Sequence, residues 1–479
     1  MSQAVRCFLE NIGTLNDLQA GIHWSAREIG AEAQRRAAIL GRAGVERGSI
    51  VIIAHGGSGT FFIDLLAVWL RGAIAACVHP ALTASEFDNV TAFCQPKAVL
   101  VGTARPVPGN AKVAALDLAT AAGSNRHVAM ELAAEAIAVL LFTSGTTGRP
   151  KAVALSHAAL AARIAANRAE IGDQTLQKTL LTLPTHFGHG LIGNSLTPLL
   201  SGGHLVIPQI GLGLAQQLAT VIDDHEISFM TSVPSVWHFI VDRAPRAHKN
   251  TLRRVHVGSA PLSQPLWQKI AGWTGCPVWN CYGTTETSNW ISGASSADGF
   301  HAGSVGRAWG VEVALRQEDG SVVRSGAGEI LVQGASVMQG YWQRPDLTDQ
   351  VFLDGWYRTG DIGEIDGGGN IRLVGREKDE INRLGTKVQP ADIDLLLCSH
   401  PAVAEACCFG IHNEIASETV AVAVVFHKGI SVTVDELKAW TQTRIRGEAV
   451  PETWFVVDRL PQTSNGKVSR NHVREVLAP

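Results

Sequence analysis

The chain has 479 residues, 46% of them hydrophobic and 17% charged, and 40 Lys+Arg against 43 Asp+Glu leave a formal charge of −3. That balance excludes a disordered polymer, which lacks the apolar surface to fold, and a general nucleic-acid binder, which needs a cationic excess to meet phosphate. At roughly 100–200 residues per domain, the length allows two to four domains.

The N-terminal segment lacks the apolar core of a signal peptide. Residues 25–40 carry a helical period, and the run 49–54 is a short buried strand. A helix is expected over 61–70. The stretch 61–78 is the most apolar in the chain, but Asp64 and Arg71 interrupt it. Charges at those depths are costly in lipid, so a buried helix is expected rather than a membrane span. A strand over 73–78, a helix from Ser85 and a strand over 98–101 continue the alternation. Further strands are expected over 180–183, 204–207, 229–232 and 255–257. Strands alternating with helices imply a parallel sheet covered on both faces.

Beyond about Phe300 the texture changes. Short runs at 311–316, 328–332 and 371–374, separated by Gly-rich turns, read as antiparallel strands. A charged connector begins at Gly375. After it come a helix near 391–399, apolar runs at 407–410 and 420–426, and a helix from Val434, a unit of ordinary domain size. The eight Cys are irregularly spaced, with no C-x-x-C, and Cys407 and Cys408 are adjacent. Neither a zinc site nor a disulfide framework fits, so reduced, buried thiols in a cytoplasmic setting are expected.

Two Gly-rich segments compete as phosphate sites. In the first, 54–60, Gly57 and Gly59 open a dinucleotide-like pattern, but Phe62 occupies the place of its third Gly; a strand-to-helix turn is the better reading. In the second, an apolar strand runs into Thr143, Ser144, Gly145, Thr146, Thr147 and Gly148, with Lys151 closing the loop. Glycines let backbone N–H groups converge on an anion, the hydroxyls add donors, and the Lys adds a charge. The spacing is not that of a Walker A loop.

The run from Phe142 to Lys151 resembles the signature of the adenylate-forming superfamily, which includes acyl-CoA synthetases, aryl acid ligases, adenylation domains of peptide synthetases and beetle luciferases. Four further segments resemble that family's motifs in order. They are Tyr282-Gly-Thr-Thr-Glu286, the stretch from Gly328-Glu-Ile330 to Gly340-Tyr-Trp342, Trp356-Tyr-Arg-Thr-Gly-Asp361, and Pro461-Gln-Thr-Ser-Asn-Gly-Lys467; Gly375-Arg-Glu-Lys-Asp379 begins its hinge. Departures are small: Ala152 replaces a usual Gly, and Asp392 and Asp394 stand where Glu is common.

The resemblance implies an α/β fold: a large N-terminal domain (1–377) of parallel α/β subdomains plus a β-barrel-like subdomain, and a small, mobile α+β C-terminal domain (378–479). It implies a reaction in which a carboxylate joins the α-phosphate of ATP, with Mg²⁺, before the acyl group passes to a thiol of CoA. By resemblance, Thr143–Lys151 cradles the phosphates, with Thr147 among the catalytic groups. Gly258, Ser259 and Ala260 line the nucleotide site with Tyr282, Gly283, Thr284 and Thr285. Glu286 is the metal-binding carboxylate, and Asp361 with Arg376 holds the ribose. Lys467 stabilises the transition state, Lys378 is the hinge, and Gly385 lines the thiol tunnel.

The implied acyl pocket involves Phe187, Gly188, His189, Val233, Trp237, Gly258 and Cys281. Gly188 stands where amino-acid-activating domains carry an Asp, which disfavours an α-amino acid. Val233, Trp237 and Trp290 would shorten the pocket, although core packing is the ordinary role of a Trp. His186 and His189 either contact a polar acyl group or cap the turn. The expected partner is a small carboxylic acid, with neither nucleic acid nor a membrane span. Phosphopantetheine on an acyl carrier protein is the alternative acceptor. A catalytically silent nucleotide-binding protein is the rival of another class, and a luciferase-like oxygenase rests on resemblance alone.

Overall fold

The structure is a computed structural model that describes residues 10–102, 114–119, 133–143, 151–208, 214–376, 379, 381–383, 386–413, 417–430, 432–445, 447–462 and 468–478. Three sheets organise it. The first has seven strands in the order Gly340–Tyr341, Lys151–Ser156, Ile137–Thr143, Ile74–Cys77, Ile50–Ile53, Ala98–Leu100, Ala114–Leu116. Its inner strands are parallel, and every residue of Ile50–Ile53 and Ile74–Cys77 is buried, as befits a sheet covered on both faces.

The helices between them start where the sequence supplies caps. Ser25 and Glu28 form a capping box for helix Ala26–Arg42, and Thr83 and Glu86 form one for helix Ala84–Cys94. Helix Gly59–Leu70 is buried nearly all round. Asp64 is 4% exposed there, and its carboxylate meets Arg36 at 2.6 Å and His55 at 2.8 Å. The charge that argued against a membrane span thus sits paired in a protein core. No helix among the described residues is long and apolar enough to cross a membrane.

The second sheet runs continuously through two textures. From Thr14–Asp17 through His204–Ile207, Lys178–Leu180, Phe229–Ser232 and Arg254–Gly258 to Val278–Thr284 neighbouring strands are parallel. From Asn289–Ser295 onward they are antiparallel, passing through Ser304–Ala308, Ile371–Arg376, Trp356–Ile365, Gly326–Gln333 and Glu312–Arg316. The segment read as barrel-like therefore continues this sheet, and the strand order draws no closed barrel. The strand expected over 180–183 lies earlier, at Lys178–Leu180, because Thr182 and Leu183 already turn towards the segment that follows.

That segment is a π-helix, His189–Leu196, a rare form that recurs at functional sites. It lies hard against strand Asn289–Ser295: a Cβ on Gly193 would come within 2.6 Å of Asn289 Oδ1 and 2.8 Å of the Trp290 ring.

The third sheet, in the C-terminal part, pairs Ser417–Phe426 with Val403–Asn413 and Ile381–Arg383, and is flanked by helices Pro390–Cys398, Val434–Gln442 and Arg470–Leu477. Adjacent Cys407 and Cys408 point to opposite faces of one strand and enter different core clusters. All seven cysteines among the described residues are free thiols. Asp394 accepts from Arg470 at 2.6 Å and from the Cys408 amide, tying the terminal helix to the sheet; burial raises its carboxyl to about 6.

Candidate active site

The Gly-rich segment 54–60 is already committed internally. Gly59 N donates to Asp17 Oδ2 at 2.8 Å, so a carboxylate of the chain itself occupies the start of the following helix. A strand-to-helix turn is what the structure contains. The second segment is the connection of a hairpin: Thr143 and Lys151 are register partners across strands Ile137–Thr143 and Lys151–Ser156, which pins both ends of the loop. Ser144, Gly145, Thr146, Thr147 and Gly148 lie outside the described residues, as do Lys378, Gly385 and Lys467.

Lys151 brings the first sheet to the turn after Val278–Thr284. Its Nζ lies 4.0 Å from Glu286 Oε1 and 3.9 Å from the centre of the Tyr341 ring. The Tyr341 hydroxyl donates to the same Oε1 at 2.9 Å, and the Glu286 carbonyl accepts from the Met338 amide at 2.7 Å. Glu286 is 9% exposed. A nearly buried carboxylate beside one ammonium group, with an oxygen left over, is chemically suited to a hard cation that arrives with phosphate oxygens of its own.

A second cluster centres on Asp361. Tyr282 OH donates to its Oδ2 at 2.6 Å, and Arg376 Nε donates to its Oδ1 at 2.6 Å. Asp361 and Arg376 are register partners on the hairpin of strands Trp356–Ile365 and Ile371–Arg376. Burial, and then the neighbouring Asp361 charge, hold the Tyr282 phenol well above its ordinary range, so it stays a donor. The Asp361 charge in turn raises the Arg376 guanidinium.

Tyr357 is buried on the same strand as Asp361, four residues before it, just as Tyr282 stands four residues before Glu286; burial, and then the Glu286 charge, hold its phenol well above the ordinary range. The chain has three tyrosines, and all three are here. Sequence motifs alone do not give Tyr341 and Tyr357 a role, although both lie inside motifs, Gly340-Tyr-Trp342 and Trp356-Tyr-Arg-Thr-Gly-Asp361. The scarcity of Tyr, with each one inside a motif, was the available signal.

The acyl-pocket residues divide. Gly188 faces Leu141 and the turn that carries Thr285, since a Cβ there would lie 3.7 Å from Leu141 Cδ1 and 3.8 Å from Thr285 Cα. His189 bridges Ser259 Oγ and Thr231 Oγ1, each at 2.7 Å. Ser259 holds φ at 68°, a strained conformation for a residue with a Cβ. A Cβ on Gly258 would come within 2.8 Å of the Cys281 carbonyl. Val233 stands at the position before helix Pro234–Arg243 and its side chain makes no capping hydrogen bond.

Trp237 does not join this group. It is fully enclosed in the core on the opposite face of the sheet, with Met230, Val255 and Val257, and packs on Trp273 at 5.7 Å; helix amphipathicity placed it there. His186 is also buried, 4.1 Å from Phe187 and 4.5 Å from His79 between ring centres, and burial lowers it to about 3.

Comparison with known proteins shows the family of the chain. Residues 8–342 match the AMP-binding enzyme family and residues 392–467 the AMP-binding enzyme C-terminal domain. The chain belongs to the AMP-binding enzyme family, as an AMP-forming acid–thiol ligase. It is 30% identical to an oxalate–CoA ligase of Arabidopsis thaliana over 91% of this chain and 90% of that one. It is likewise 30% identical to an indoleacetate–CoA ligase of Aromatoleum aromaticum, over 95% and 93%. Among solved structures, o-succinylbenzoate CoA synthetase of Bacillus subtilis with ATP and magnesium superposes with a TM-score of 0.86 at 25% identity, covering 98% of each chain. ATP-bound MatB of Rhodopseudomonas palustris gives 0.87 at 26%, covering 99% of this chain and 98% of that one.

Proposed function

We propose that this chain activates a carboxylic acid as its acyl-adenylate and transfers the acyl group to the thiol of CoA. A carboxylate oxygen attacks the α-phosphorus of ATP and the bond to pyrophosphate breaks. A thiolate then attacks the acyl carbon and the bond to AMP breaks. The observation that carries this reading is the adjacency of the Lys151–Glu286–Tyr341 cluster and the Tyr282–Asp361–Arg376 cluster, whose members Tyr282 and Glu286 end one short segment, Tyr282-Gly-Thr-Thr-Glu286. One supplies a cation and a carboxylate for phosphate and metal; the other presents a carboxylate for hydroxyl groups of a sugar.

In this reading Glu286 would hold a Mg²⁺ ion, which when bound neutralises phosphate charge. Lys151 and the loop 143–151 bind the phosphates, and Asp361 with Arg376 orients the ribose while Tyr282 stacks on the base. Lys467 places positive charge where it develops in the adenylation step. The large domain ends near residue 377, and the segment from Lys378 turns about that residue so that Lys467 leaves before the thiol approaches past Gly385.

The relatives act on acids as unlike as oxalate, indoleacetate and ferulate, so family membership leaves the acid open. The test is pyrophosphate release over a panel of acids, with CoA and a phosphopantetheinylated carrier protein as parallel acceptors. Lys467→Ala is expected to lose acid-dependent release by about 10²–10³-fold while keeping thioester formation from preformed acyl-adenylate. Equal loss of both steps would remove Lys467 from its role. ATP binding without release for any acid would make the chain a silent nucleotide binder, and transfer to the carrier protein alone would reassign the acceptor.

A further inference from the structure

The acyl side of the second sheet is lined by alternate residues of its central strands. Arg254, His256 and Gly258 share one face of their strand, while Val255 and Val257 enter the core behind. In register beside them stand Phe229 and Thr231 on one neighbour and Trp279 and Cys281 on the other. Gly258 lies at the carboxyl end of its strand, next to exposed Ser259, where open α/β sheets bind ligands. His256 lies one strand period deeper, about 7 Å.

The chemistry at that depth is unusual. Arg254 Nε–H donates to His256 Nε2 at 2.7 Å. Because guanidinium only donates, Nε2 must accept, and the neutral ring carries its proton on Nδ1. That Nδ1–H is buried and has no hydrogen-bond partner among the described residues, and the same is true of the Trp290 Nε1–H. The two rings pack edge to face, with centres 4.5 Å apart and planes at 76°. Each ring also meets a second aromatic ring edge to face, His256 with Phe229 at 5.0 Å and Trp290 with His189 at 5.1 Å, but an N–H on a π cloud is a weak substitute for an oxygen acceptor. Trp290 Nε1 would lie 3.6 Å from a Cβ on Gly258, which places it beside the carboxyl end of that strand. Buried donors without acceptors are costly. Arg254 is meanwhile balanced by Glu170 at 3.2 Å, so these donors, with no net positive charge, are what the site offers a ligand.

We propose that the acyl site ends on the N–H groups of His256 and Trp290, and that the acid this chain activates is short and carries an oxygen acceptor at the end remote from the reacting carboxylate. The proposal rests on the acid-activating reading above and names its substrate class. Carboxylate, carbonyl and hydroxyl oxygens all satisfy the donors; methyl ends and long chains do not.

The test compares kcat/KM for pyrophosphate release with butyrate, hydroxybutyrate bearing a terminal hydroxyl, succinate and octanoate on the full chain. Wild type is expected to favour hydroxybutyrate or succinate over butyrate by at least roughly tenfold and to reject octanoate. Trp290→Phe, which keeps an aromatic ring and removes the donor, is expected to collapse that ratio by roughly tenfold. His256→Phe supplies the same comparison should the first variant not fold. Preference for butyrate or octanoate in wild type overturns the proposal while leaving the ligase reading intact, as does an unchanged ratio in both variants. Absence of release with every acid overturns the ligase reading and this proposal with it.

Discussion

Asp361 shows how much one side chain carries. It is 5% exposed, accepts from Tyr282 and Arg376 through separate oxygens, and its amide donates to Thr359 Oγ1 at 3.0 Å. Asp361→Ala leaves a buried phenol without its acceptor, which typically costs about 1–3 kcal/mol. The variant is expected to melt earlier than wild type and to lose most of the further stabilisation that ATP confers, readable in thermal shift with and without nucleotide. An undiminished ATP shift would detach Asp361 from the nucleotide. This residue was legible in the sequence because its motif surrounds it with Gly and Thr. Tyr341 was not, because its partner Glu286 lies 55 residues away and the two meet only once strand Gly340–Tyr341 has paired with Lys151–Ser156. The orphan donors of His256 and Trp290 were invisible for the same reason: a tautomer set by Arg254 is a property of packing.

Among the elements, the π-helix and the connector make the sharpest demands. Gly193→Ala would drive a methyl group into Asn289 and Trp290. Such overpacking typically costs about 1–3 kcal/mol, and because Trp290 must yield, kcat/KM for the preferred acid is expected to fall with the melting temperature. A variant that is destabilised yet kinetically unchanged would separate the π-helix from the acyl site. The sequence announced a special segment here through its His and Gly content, but a π-turn has no local signature. At the connector, Lys378→Pro fixes φ at the proposed pivot. Adenylation is expected to persist while thioester formation slows, measured as separate half-reactions; equal rates for both would argue against a hinge at that position. The parallel strands and their helices were largely legible, because fully apolar runs alternate with capped helices. Their union with the antiparallel strands into one sheet was not, since edge pairing such as that of Asn289–Ser295 with Ser304–Ala308 depends on shape rather than on period.

The whole molecule carries buried histidines whose neutral state is part of the fold. Burial lowers His157 from an ordinary 6.5 to about 4 and His186 to about 3. His157 is 1% exposed and packs edge-on to Trp69. The unfolded chain therefore binds more protons than the native one as pH falls below 6.5. This stability is fully present above pH 6.5 and is lost on the way down to about 4, by roughly 3 kcal/mol for His157 alone. Chemical denaturation is expected to show the midpoint falling steeply across that window, with His157→Leu flattening the slope. A wild-type midpoint that is flat from pH 6.5 to 4 would contradict the assignment.

The scarcity of tyrosine has a practical consequence. With only Tyr282, Tyr341 and Tyr357 in 479 residues, fluorotyrosine incorporated during expression would yield three fluorine resonances. One would come from the ring bonded to Asp361, one from the ring bonded to Glu286 beside Lys151, and one from Tyr357 on the strand of Asp361. The chain is in effect its own background-free spectrometer, in which each added substrate would be seen arriving at a known side chain.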